Sequence, residues 1–256
     1  MMVSQGLCVM RYNLLILGGT RQASSLATYL ADRNIPATLS YAGRVARVKS
    51  QAVNVRIGGF GGSEGLAAYL GQNQITHLID ATHPFAAQIS QNACEAAART
   101  GIPLVRFSRP EWTPQDGDRW HEVADIASAV QYLDQPRRRV MLALGRLNLP
   151  AFEMMNQHFY LLRLVDAPDS PPGFSDYKMV LSRGPFQFDE DKALLEAHHI
   201  DLIISKNAGG EGAIAKLDAA RALGIEVVMI SRPLLPECDE VTDIAGLMGW
   251  LGQSDG

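Results

Sequence analysis

The chain of 256 residues contains an internal repeat, and that repeat restricts its possible folds more than any bulk property does. His77-Leu78-Ile79-Asp80, then Ala97-Ala98-Arg99-Thr100-Gly101-Ile102 and Ser108-Arg109-Pro110, form the first copy. They return as Asp201-Leu202-Ile203-Ile204, Ala219-Ala220-Arg221-Ala222-Leu223-Gly224-Ile225 and Ser231-Arg232-Pro233. Glu122-Val123-Ala124-Asp125-Ile126-Ala127 is echoed by Glu240-Val241-Thr242-Asp243-Ile244-Ala245, and Val55-Arg56-Ile57-Gly58-Gly59-Phe60 by Val180-Leu181-Ser182-Arg183-Gly184-Pro185-Phe186. A unit that spans about half the chain predicts two similar domains, not a solenoid of short modules.

Each half alternates short apolar runs with amphipathic stretches, the pattern of βαβ units around a parallel sheet. Strands are expected at 13–17, 37–41, 53–57, 77–80 and 104–107, and again at 140–144, 160–164, 179–182, 202–205 and 227–230. Helices are expected at 21–33, 62–71 and 85–100, then at 147–156, 189–198 and 212–223. Each half closes with a Glu-Val strand and a helix capped by Asp125 or Asp243. The join is placed at 134–139, where a proline meets three arginines, giving domains 12–133 and 134–256. The expected architecture is α/β: two similar Rossmann-like domains with parallel sheets, related by duplication and facing each other across a cleft.

Composition removes other classes. At 47% hydrophobic and 20% charged residues the chain reads as globular, and a net charge of −4 without a basic stripe argues against nucleic-acid binding. Cys8, Cys94 and Cys238 show no metal-ligand spacing and read as reduced thiols of a cytoplasmic protein. His198-His199 are sequence neighbours, whose side chains diverge on a helix, so no metal is expected. The segment 1–11 lacks the form of a signal peptide, and Met10 just ahead of the first strand makes residues 1–9 an extension or the product of an upstream start. No apolar run is long enough to span a bilayer. The internal pair of domains favours a monomer.

In open parallel sheets ligands bind beyond the carboxyl ends of the strands, near the point where strand order reverses. In the first half those ends are rich in glycine. Gly18-Gly19-Thr20 lets backbone approach a pyrophosphate seated on the following helix N-terminus. Ser40-Tyr41-Ala42-Gly43-Arg44 offers a hydroxyl and a guanidinium where an acidic residue would meet an unphosphorylated ribose, which favours NADPH over NADH. Gly58-Gly59-Phe60-Gly61-Gly62 suits close passage beside a flat ring, the nicotinamide being the natural occupant. In Asp80-Ala81-Thr82-His83-Pro84-Phe85, Pro84 is expected to open a helix while Thr82 and His83 face the cofactor. His83 either hydrogen-bonds the cofactor or donates a proton.

These residues carry a family resemblance. Leu17-Gly18-Gly19-Thr20, Ala42-Gly43-Arg44, Arg56 to Gly62, Asp80 to Phe85, Arg183-Gly184-Pro185-Phe186, Ser205-Lys206-Asn207-Ala208-Gly209-Gly210 and Arg232-Pro233 resemble, in the same order, the precorrin-6A reductase family. Gln22 and Ala208 depart from its pattern, where an acidic residue and a serine are usual. The resemblance implies NADPH-dependent reduction of the precorrin-6A macrocycle to precorrin-6B in cobalamin biosynthesis.

The second half places cations at its strand ends: Arg146, Arg163, Arg183, Lys206 and Arg232. Any one alone reads equally well as half of an ion pair. Together they are expected to form a positive rim, suited to a tetrapyrrole fringed with carboxylates. Arg21 from the first half and Lys216 complete the expected substrate contacts. No proton donor is assigned. Other readings are a cobalt-containing macrocycle, or a non-catalytic NADP-binding sensor, which should lack the cationic rim. A short-chain dehydrogenase is excluded because none of the seven tyrosines has lysine four residues later, and a P-loop because no glycine precedes a lysine.

Overall fold

The computed structural model describes residues 12–42 and 50–253, and within them the chain divides into two compact units. The first unit holds β1 (Leu14–Leu17), α1 (Arg21–Ala31), β2 (Ala37–Tyr41), β3 (Asn54–Ile57), α2 (Gly62–Gln72), β4 (His77–Asp80), α3 (Ala87–Thr100) and β5 (Leu104–Phe107). The second holds β6 (Arg119–Val123), α4 (Ile126–Tyr132), β7 (Arg139–Ala143), β8 (Phe159–Leu164), β9 (Tyr177–Leu181), α5 (Phe188–Ala197), β10 (Leu202–Lys206), α6 (Ala215–Leu223) and β11 (Glu226–Ile230). The last elements, β12 (Asp239–Val241) and α7 (Ile244–Gln253), return to the first unit.

The described residues form two six-stranded sheets, ordered β12-β5-β4-β1-β2-β3 and β6-β11-β10-β7-β8-β9. Every pairing within them is parallel. Both orders are doubly wound, with the reversal point between β1 and β4 in one sheet and between β7 and β10 in the other. β1 and β4 are buried along their whole length, because helices cover both faces of a parallel sheet.

The domain boundary expected at 133/134 does not stand. The chain crosses between units at Arg109-Pro110 and at Pro233-Leu234, within or beside the two Ser-Arg-Pro motifs. Consequently β6 pairs with β11, not with β5, and β12 pairs with β5, not with β11. The duplicated halves have exchanged their closing βα segments. Glu122-Val123 and Glu240-Val241 thus occupy matching edge positions in the two sheets. Pro110 and Pro233 meanwhile bias the preceding arginine toward extended backbone, which carries the chain onward. The exchange is structural, not cosmetic: Leu247 and Leu251 of α7 are fully buried against Leu14, Ile16 and Leu26 of the first unit.

Three helices differ from expectation. Residues 146–152 form a 3₁₀ stretch where an α-helix over 147–156 was expected, since Pro150 within it cannot donate an α-helical bond. The helix expected at 212–223 is split into a 3₁₀ turn, Glu211–Ala213, and α6. Pro84 does not open α3. It follows His83 in a turn closed by the bond from Ala86 N to the His83 carbonyl (2.7 Å), the i+1 place that proline's fixed φ favours, and the helix starts at Ala87.

Candidate active site

In the first unit the carboxyl end of β1 runs into α1 through Gly18, Gly19 and Thr20. Gly18 lies tight against the sheet, for a Cβ there would meet Leu39 Cδ1 at 2.5 Å. Gly19 has φ +117° and open space where a side chain would project, so bare backbone is presented at the helix start. Thr20 caps α1: its Oγ1 accepts from Ala23 N (3.1 Å) and donates to the Ala81 carbonyl (2.7 Å), tying the β1 and β4 ends together. The first turn of α1 has no acidic residue, so the positive end of the helix is not neutralised locally. This cradle fits a pyrophosphate. Arg21, the first residue of α1, is exposed.

The expected ribose-phosphate contacts are only partly described. Gly43 and Arg44 lie outside the described residues. Ser40 is only 4% exposed, and its Oγ accepts from Arg56 Nη1 (3.3 Å). It therefore serves Arg56 rather than facing solvent, as expected of a strand residue whose side chain points into a packed layer.

Arg56 organises the glycine loop and was not singled out from the sequence. Its Nη1 donates to the Gly58 carbonyl and its Nη2 to the Gly59 carbonyl (2.8 Å). Its guanidinium also lies 3.8 Å from the centroid of Phe60, which packs edge-on against Tyr69. Phe60 is thus clamped by Arg56 and Tyr69 and packs against the core cluster of Leu66 and Leu70. Gly61 caps α2 in the left-handed region (φ +81°). Gly65, also unforeseen, must be glycine because a Cβ would lie 1.8 Å from the Phe60 carbonyl oxygen.

After β4, Asp80 is buried and accepts from both Thr82 N (3.1 Å) and Thr82 Oγ1 (2.6 Å). The carboxylate shapes the turn rather than reaching outward. His83 is exposed, and its Nδ1 accepts from Phe85 N (3.2 Å), which leaves the proton of a neutral ring on Nε2. An imidazolium would set an N–H at Nδ1 against that of Phe85. The arrangement suits a hydrogen-bond donor better than a proton donor.

In the second unit the six cations of interest do not behave alike. Arg146 and Arg183 are exposed beyond the ends of β7 and β9, each beside an exposed acid, Asp169 (3.7 Å) and Asp166 (2.7 Å). Exposed ion pairs of this kind are worth about 0–1 kcal/mol, so an incoming carboxylate displaces them readily. Lys206 ends β10 partly buried, and burial lowers its pKa from the ordinary lysine value. The others need correction. Arg163 lies within β8, not at its end, and is buried with Asp191. Lys216 is 3% exposed, donates to the Ala213 carbonyl (2.7 Å) and sits 4.5 Å from the Trp112 ring. Arg232 donates to the carbonyls of Asn207 (3.1 Å) and Ala208 (3.3 Å) and lies 3.6 Å from Glu111. Lys216 and Arg232 are turned onto backbone carbonyls and Arg163 onto a buried carboxylate, which a count of positive residues cannot reveal.

Asn207, next to Lys206, has a scaffold role. Its amide accepts from Trp112 N and donates to the Trp112 carbonyl, both at 2.9 Å, docking the entering segment like one rung of a ladder. A cavity of about 150 Å³ lined by Trp112, Trp120, Leu217 and Arg221 lies beside that segment, and none of the strand-end cations lines it. Large apolar side chains are exposed beyond or at the ends of β7, β8 and β9 and at the start of α5: Leu147 (71%), Val165 (53%), Leu181 (54%) and Phe188 (41%). Among the described residues there is no group of His, Cys, Asp or Glu that could hold a metal. No described helix is long and apolar enough to cross a membrane.

The family model described as precorrin-6x reductase CbiJ/CobK matches residues 13–252. A precorrin-6A reductase of Rhodobacter capsulatus is 50% identical over 93% of this chain and 95% of its own. The solved structure titled CobK precorrin-6A reductase superposes with a TM-score of 0.90 at 50% identity, covering 94% of this chain and 96% of that one. A cobalt-precorrin-6A reductase of Priestia megaterium is 26% identical over 86% of this chain and 90% of its own.

Proposed function

We infer that this chain, which belongs to the precorrin-6x reductase family, reduces precorrin-6A in cobalamin biosynthesis and takes NADPH as its reductant. The observation that carries the reading is the contrast between the two sets of strand ends. One offers bare backbone at a capped helix start, and the other offers arginines among exposed apolar side chains.

When bound, NADPH would supply a hydride to an electron-poor carbon of the macrocycle. The chain's own residues then bind and orient. Gly18, Gly19 and Thr20 seat the pyrophosphate, and Arg44 with Gly43 meets the 2′-phosphate. The Gly59-Phe60-Gly61 loop, stiffened by Arg56, borders the nicotinamide end. The Asp80–Pro84 turn is preshaped by the two bonds from Thr82, and His83, whose Nδ1 accepts from Phe85 N, would serve the cofactor as a hydrogen-bond donor through Nε2.

On the substrate side, Arg146, Arg183 and Lys206 take carboxylates, and Arg21 adds a further cation. Leu147, Val165, Leu181 and Phe188 cover one apolar face of the ring. Lys216 and Arg232 act on the scaffold that supports Lys206. The identity of 50% to a precorrin-6A reductase, against 26% to a cobalt-precorrin-6A reductase, favours precorrin-6A over its cobalt form as substrate. A monomer in the cytoplasm is the simplest setting, since each sheet is completed by the chain's own exchanged segment.

The test is Arg183→Ala, assayed anaerobically by NADPH oxidation with precorrin-6A. KM for the macrocycle should rise about tenfold, the effect of losing about 1.4 kcal/mol of carboxylate binding. NADPH affinity, measured by fluorescence titration, should stay unchanged. A loss of NADPH binding instead would mean that the two units have the opposite roles.

A further inference from the structure

The motif Arg183-Gly184-Pro185-Phe186 carries an exposed arginine, and its phenylalanine has a partner from another strand. Arg163, 7% exposed within β8, places its guanidinium 4.0 Å from the centroid of Phe186. The same guanidinium bonds Asp191 Oδ1 in the first turn of α5, and Asp191 is itself 4% exposed. Loop 182–187 spans between β9 and α5. Gly184 closes on the Phe186 ring, for a Cβ there would lie 3.2 Å from it and 3.1 Å from the Gly212 carbonyl oxygen. The ring thus packs against both Gly184 and a buried cation.

A buried guanidinium is costly, and a buried ion pair is seldom retained for stability alone, since apolar replacements often do as well or better. Asp191 Oδ2 has no hydrogen-bond partner among the described residues, so the pair is not even fully satisfied. Its retention calls for another reason, and the first unit supplies one. There Arg56 lies under Phe60 in the loop that follows edge strand β3, at 3.8 Å. In the second unit the topologically matching loop carries Phe186, but the guanidinium comes from the neighbouring strand β8 instead of from β9. Both copies hold a loop phenylalanine on a guanidinium, supplied from different strands.

We propose that Arg163 is a positioning residue for substrate binding: balanced by Asp191, it fixes Phe186 and so holds loop 182–187 where Arg183 meets a macrocycle carboxylate. This rests on the reading of Arg183 given above. A flat guanidinium stacks on a ring in a way that an ammonium does not, so Arg163→Lys keeps the charge beside Asp191 and loses the stack.

In steady-state assays with purified full-length enzyme, R163K should raise KM for precorrin-6A about fivefold, within the range spanned by cation–π contacts. kcat and KM for NADPH should stay within about twofold, as uniform binding loss requires. In an R183A background R163K should add nothing, because it acts through Arg183. F186L, which keeps the ion pair and removes the ring, should reproduce R163K and carries the test if R163K does not fold. A lower kcat with unchanged KM would mark a structural role only and overturn the proposal, as would full multiplication of the two effects in the double variant. If R183A raises KM and neither R163K nor F186L does, this proposal alone fails. If R183A leaves KM unchanged, the carboxylate assignment of Arg183 fails as well.

Discussion

Two glycines of helix α2 should respond in opposite directions to the same substitution. Alanine is a better helix former than glycine by up to about 1 kcal/mol, less near a helix end. Gly71 near the end of α2 has nothing within 4 Å of where its Cβ would stand, so Gly71→Ala should stabilise the protein by about 0.5 kcal/mol. Gly65 gains the same propensity and meets a wall. Its Cβ would lie 1.8 Å from the Phe60 carbonyl oxygen and 2.9 Å from the carbonyl carbon. The obstacle is backbone, which no rotamer change relieves, so the cost falls near the top of the overpacking range, about 3 kcal/mol. Subtracting about 1 kcal/mol of propensity leaves a net loss of about 2 kcal/mol. Thermal unfolding followed by circular dichroism should then show a midpoint lowered by about 4–8 °C for G65A and slightly raised for G71A. Because the displaced carbonyl belongs to the clamped Phe60 loop, G65A should also weaken NADPH binding. A G65A midpoint at or above that of the parent, or an equal fall in G71A, would refute the steric argument.

Three further outcomes are expected. Arg44→Ala should raise KM for NADPH by about tenfold or more and barely change that for NADH, since only the former has a 2′-phosphate to lose; equal effects in a paired kinetic assay would remove Arg44 from that role. Burial holds the Lys206 pKa below the usual lysine value, so the folded state loses that proton first and stability rises with pH between the folded and unfolded values. Carboxylate binding needs the ammonium, so KM for the macrocycle should climb as pH passes the lowered value, while K206R stays flat to about pH 10; coincident profiles would dismiss Lys206 as an anchor. Asn207→Ala leaves the Trp112 N–H and carbonyl without their partners, costing about 2–3 kcal/mol, and limited proteolysis should then cut near 110–115 faster than in the parent, whereas an unchanged pattern would contradict the docking role.

Much of the fold was legible because strands and helices repeat with periods that burial enforces. β2, β4 and β5 match the expected spans to the residue, and Thr20 and Asp125 cap helices as their residue types require. The glycine runs after β1 and β3 were legible too, and they leave bare backbone at those strand ends. Positive residues were harder. Arg146 and Arg183 stand exposed at strand ends as expected, but Lys216, Arg163 and Arg232 turn inward. A long flexible side chain can snorkel outward or fold back, and only its neighbours decide which.

Local sequence therefore determined which segments are strands, where helices begin, and that two copies of one doubly wound topology are present. These follow from interactions within a few residues. The tertiary structure alone decided that the copies trade their closing βα segments, because both segments carry the same Glu-Val strand signal and pairing is settled by where the chain is led after Pro110 and Pro233. It alone decided, too, that Arg56 and Arg163 lie beneath Phe60 and Phe186, since a cation and a ring brought together from separate strands, or across a tight loop, leave no periodic trace in the chain.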